Sequence, residues 1–159
     1  MIITVNELLT SGLPVSDEID ERKIEQAIFT SEQFILKPRI GDKLYIDIIN
    51  QPSDFTLLLN GGVAEYEENG TVMYKYLAGL KRALLQLSFA LLLRDNMSAT
   101  TFGSVMKKEE YSEQASEERL NQVARYHTEV GLQFIKEVTD YLKIDNTGKH
   151  LPDWFEEFL

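Results

Sequence analysis

The chain has 159 residues, 43% of them hydrophobic and 26% charged, with a formal net charge of −10. That composition is ordinary for a globular protein, is long enough to bury a core, and argues against wholesale disorder. The acid excess argues against a protein that grips nucleic acid over a broad surface, because such binding uses basic patches that release counterions; the absence of cysteine excludes disulfides and thiolate metal sites.

The opening MIITVNELLTSG has no basic leader and no long apolar core, so no signal peptide is expected. The longest apolar stretch, residues 84–93, is too short to cross a bilayer, and no membrane association is expected. Thr4 and Glu7 have capping-box spacing, which predicts a short helix to about Ser11 with Gly12 as its stop.

Acidic residues over 16–21 suit the positive end of a helix dipole and predict a first long helix there. Ile24, Ala27, Ile28, Phe34 and Ile35 recur at helical spacing as its buried stripe, with Arg22, Glu25, Gln26 and Glu32 on the other side. Pro38 disfavours helical geometry at Lys37, which predicts the end of the helix there. Residues 41–50 read as a second helix, although Leu44 to Ile49 also has strand-like composition. Residues 53–60 read as one or two helical turns ended by Gly61-Gly62.

Asn69-Gly70 then separates two β-prone runs, a strong hairpin signal because both residues tolerate positive φ. The hairpin is expected near residues 63–76. Residues 74–96 read as a central helix of about six turns, apolar on nearly every face from Leu84 to Leu93 and therefore covered from several sides. Residues 97–115 show no helical period, and a connection this long is usually functional or disordered. From 116 to about Lys143, Leu120, Val123/Ala124, His127, Val130/Gly131, Phe134, Val138 and Tyr141/Leu142 form the continuous stripe of a last long helix. The expected fold is mainly α: a bundle of three to four main helices with a small β-hairpin, a single domain over 1–145, and an aromatic tail over 146–159.

Catalytic signatures are missing. His127 and His150 have no ligand spacing, and His127 reads as a core or edge histidine held by a hydrogen bond. The acid clusters at 17–21, 65–68, 109–113 and 117–118 lack calcium-loop spacing, and nucleophile and phosphate-loop motifs are absent. The expectation is no enzyme, with no catalytic, cofactor-binding or metal-binding residue. Lys81-Arg82 and Lys107-Lys108 are the notable basic groups, best explained as solvated positions or salt bridges. Trp154, Phe155 and Phe158 either pack back on the same bundle or anchor an interface.

The turn LLLNGG at 57–62, the hairpin EENG, AGLKRALLQLSFALLLRDN at 78–96, TTFGSVMKKEEYSE at 100–113 and a final helix ending VTDYLK together resemble the head–tail connector (adaptor) proteins of tailed bacteriophages and prophages. The resemblance covers roughly residues 57–143. It implies a helical, non-enzymatic subunit of a ring, often of twelve copies, in the virion neck after assembly in the bacterial cytoplasm. Its implied partners are other copies of itself, the portal protein and tail or neck proteins, with DNA passing through a channel unbound. Alternatives are another phage-derived structural or binding module, such as a tail-completion or small adaptor protein, and then a metal-dependent enzyme or regulator. The contact residues expected on the connector reading are Asn69, Gly70, Phe102, Lys107, Lys108, Tyr111, Trp154, Phe155 and Phe158.

Overall fold

A computed structural model describes residues 1–15, 19–68, 70–94 and 117–144; the segments 97–115 and 146–159 lie outside them. Helix α1 (Val5–Leu9) starts as its sequence dictates, with Thr4 and Glu7 forming a complete capping box. Glu7 also receives a 2.9 Å bond from Lys81 Nζ, which ties this first helix to an element 74 residues away. Partial burial works against the charge of the Glu7 carboxyl, but the Lys81 ammonium and the Thr4 donors outweigh it and hold the group below the usual carboxylate range.

The first long helix departs from its predicted course at both ends. Helix α2 (Glu21–Thr30) begins at Asp20, whose side chain accepts from the Arg22 amide at 3.0 Å. It then widens into a π-helical segment, Ser31–Leu36, and returns to α geometry as α3 (Lys37–Ile40). The chain therefore stays helical through Pro38. Pro38 lies two residues before this continuous helix ends at Ile40, and the wide turn before it makes room for its ring where an α turn would clash.

The π segment also overturns two expected positions. A π turn holds more residues than an α turn, so an i, i+4 series stays on one face across it. Ile24, Ile28, Glu32, Leu36 and Ile40 are all buried. Glu32, expected on the polar side, is 1% exposed, whereas Phe34, expected in the buried stripe, is 69% exposed.

Helix α4 (Asp42–Asn50) buries Leu44 and Ile48, which resolves the helix-or-strand ambiguity of this segment in favour of helix. A 3-10 turn (Pro52–Phe55) leads into α5 (Thr56–Asn60). Strands β1 (Gly62–Glu68) and β2 (Thr71–Leu77) pair antiparallel from Gly62↔Leu77 to Glu68↔Thr71, so the Asn-Gly pair sits in the two-residue connection. The expected six-turn central helix is shorter than predicted. Residues 74–77 belong to β2, and α6 spans Leu80–Arg94. Tyr74 and Tyr76 point to alternate positions from Lys75 and Leu77, the strand period, and that local alternation outcompetes helix.

Helix α6 is the centre of the core, with Leu80, Ala83, Leu84, Leu87, Phe89, Ala90, Leu92 and Leu93 buried. On one side the buried hydroxyls of Ser88 and Ser31 meet at 3.1 Å, and Ser31 donates onward to the Ala27 carbonyl. On another lies α7 (Glu117–Ile144). The two run antiparallel: Leu120 and Ala124 cluster with Phe89 and Leu93, and Gly131 lies over Ala83 and Leu87. A Cβ at Gly131 would come within 2.7 Å of Leu87 Cγ. Gly131→Ala is therefore expected to cost about 1–3 kcal/mol through overpacking, read as a lower urea midpoint at unchanged slope. A Leu87→Ala change in the same chain is expected to relieve part of the collision, so the pair should be less destabilised than the sum of the singles.

Candidate interaction surface

The hairpin has two chemically different faces. Strand alternation and the register place Val63 opposite Tyr76, Glu65 opposite Tyr74 and Glu67 opposite Val72 on one face. All six of these residues are exposed, with Tyr74 at 66%. The other face is anchored only near its base, where Ala64 and Leu77 are buried while Met73 near the tip is exposed. Arg82, in the first turn of α6, donates to the Tyr76 hydroxyl at 3.1 Å. Among the described residues the sheet has these two strands and no third.

This arrangement is an aromatic and aliphatic platform carrying two carboxylates, on a ribbon whose outer edges have no described strand partner. An isolated two-stranded ribbon is marginal in water, and unpaired strand edges are ready templates for pairing. A second exposed aromatic feature lies on the long helix, where Phe29 and Phe34 form an edge-to-face pair with ring centroids 6.4 Å apart. Neither feature figures among the expected contact residues. Period-two alternation in TVMYKY carries the signal for the first. The second depends on the π turn, which leaves no plain mark in sequence.

Of the nine expected contact residues, the described residues include Gly70 alone. It is exposed at the hairpin tip with φ 77. Asn69, Phe102, Lys107, Lys108, Tyr111, Trp154, Phe155 and Phe158 lie outside the described residues, and so does His150.

His127 sits on the α6–α7 seam as expected, its Nδ1 2.5 Å from Gln86 Oε1 and its ring edge-on to Phe89 at 4.8 Å. Burial lowers its tendency to protonate. Lys81 is in its salt bridge with Glu7. Among the described residues no group of three His, Asp or Glu side chains is placed to hold a metal ion, and no helix is long and apolar enough to cross a membrane.

Residues 36–157 match the sequence profile of a family of unknown function, DUF6712. No curated protein and no solved structure matches the chain.

Proposed function

The chain belongs to this DUF6712 family, whose function is unknown, and from the sequence resemblance over residues 57–143, taken with its exposed surface, we propose that it is a non-enzymatic structural subunit: a head–tail connector of a tailed phage or prophage. In this role copies form a ring beneath the portal, bind the portal and tail or neck proteins, and leave a channel for DNA in the virion neck. The exposed platform of Val63, Val72, Tyr74 and Tyr76 on the hairpin is the structural observation that supports an assembly role. Aromatic side chains with apolar neighbours are what protein interfaces bury at their centres. The net charge of −10 supports it further, since an acidic wall repels phosphates and lets DNA pass.

Electron microscopy of the purified protein mixed with its candidate portal tests the reading. Rings on the portal are expected, and a protein that stays unbound at high concentration overturns it. Changing Val72 and Tyr74 together to threonine keeps β-propensity while removing the platform. This variant is expected to keep the wild-type circular dichroism and bind the portal at least about tenfold more weakly, a loss of about 1.4 kcal/mol. Undiminished binding would remove the hairpin from the interface.

A further inference from the structure

A groove of about 410 Å³ opens between the N-terminal segment, α4, α5 and the start of α6. Ile2, Ile49, Pro52 and Leu59 supply apolar wall, with Asn60 and Lys81 as polar groups at its margin. Its size and mixed lining fall within the range of pockets that seat one or two large side chains.

The chain itself supplies a matching segment. Helix α7 passes Gly131 over Ala83 and also touches α3 and β2, so it runs on about 15 Å past the end of α6 that begins at Leu80 and carries Lys81. From Ile144 to Trp154 are ten residues, which reach about 33–36 Å when extended. That is about twice the radius of gyration of a domain this size, about 15 Å, enough to bring Trp154 round the bundle to the groove. The chemistry is complementary. Trp154, Phe155 and Phe158 are interspersed with Asp153, Glu156 and Glu157, while the partly exposed Lys81 side chain carries an ammonium with three donors, one of them on Glu7. The family match, from Leu36 to Glu157, takes in both α4–α6 and this aromatic segment. We propose that the segment after α7 folds back on its own chain and seats Trp154 and Phe155 in the groove, with its carboxylates toward Lys81.

Trp154 is the sole tryptophan, so its fluorescence reports on the seat directly. The full-length protein is expected to show blue-shifted emission and severalfold weaker acrylamide quenching than in denaturant, both unchanged on dilution. Ile49→Asp, at a groove residue 40% exposed, is expected to restore solvent-like emission and quenching; Ile46→Asp, on the same helix but outside the groove lining and 51% exposed, leaves both as in the wild type. Asn60→Glu places a like charge against the tail acids and provides a second groove variant, with circular dichroism showing that each variant is folded. Solvent-like emission in the wild type overturns the proposal. So does emission indifferent to both folded groove variants, or a blue shift lost on dilution, which would place the segment on a second copy. None of these readouts depends on portal binding or ring formation.

Discussion

Gly79→Ala is expected to be among the most destabilising single changes in the protein. Gly79 has φ 92, and a Cβ there would meet Gly61 N at 2.5 Å and both Asn60 C and Leu59 O at 2.7 Å. Gly61, itself at φ 78, faces the reverse problem against the Leu77 and Ala78 backbone. The two glycines thus let the end of α5 and the start of α6 cross backbone to backbone, closing the hairpin base.

The left-handed conformation alone costs an alanine roughly 1–2 kcal/mol. Overlap with rigid backbone adds a further ~1–3 kcal/mol or more, because no flexible side chain can yield. Against a typical domain stability of about 5–15 kcal/mol, a loss of about 2–5 kcal/mol is expected in urea unfolding. Gly70→Ala is the control. Gly70 has φ 77 but nothing within 4 Å of its Cβ position, so only the conformational cost of about 1–2 kcal/mol should appear. Equal losses at the two sites would show that the crossing is not closely packed.

The second large effect is expected at the buried Glu32. Its two oxygens accept from the Ile2 amide at 2.9 Å and the Tyr45 hydroxyl at 2.6 Å, and Gln33 Nε2 donates to the same hydroxyl at 2.7 Å. One carboxylate thereby joins the N-terminal segment, the π-helical segment and α4. Glu32→Ala leaves an amide and a hydroxyl without their acceptor. With bonds to charged groups each contributing about 1.5–3 kcal/mol, the loss is expected to be roughly 3–5 kcal/mol. Tyr45→Phe removes one of those bonds and is expected to cost about 1.5–3 kcal/mol.

Tyr45 also has a pH signature. Burial, followed by its bond to the Glu32 carboxylate and that group's charge, pushes the Tyr45 hydroxyl up from 10.0 to about 12. The raised folded value means that the folded state favours the neutral phenol. The resulting stabilisation is complete below pH 10 and is lost as pH rises from about 10 to about 12. Urea midpoints measured across that window are expected to fall more steeply in the wild type than in Tyr45→Phe. Parallel slopes would show that this hydroxyl is not the group responsible.

Both predictions rest on features that were unequally legible in sequence. Gly61-Gly62 read as a turn, and a turn it is, but its tight approach to Gly79 requires a residue 18 positions later in the chain. Glu32 read as a polar-face residue because a uniform 3.6-residue period puts it there. The π turn changes the period over a few residues only, and the stretch SEQFIL bears no motif that announces it. The hairpin turn was plain from Asn-Gly, yet its second strand overlapped a predicted helix, since YKYL is short and lies beside a long apolar helical run.

Local chemistry in the sequence by itself determined the mainly helical class, the capping box at Thr4, the hairpin at residues 69–70, the apolar centre of α6 and the long stripe of α7. These depend on neighbours within a few residues, where spacing and propensity act directly. Only the tertiary structure decided that Glu32 meets Ile2 and Tyr45, that Gly61 and Gly79 cross backbone to backbone, and which face of the hairpin stays open. Each of those outcomes turns on contacts between segments far apart in the chain, and period counting along one segment carries no information about the partner that will cover it.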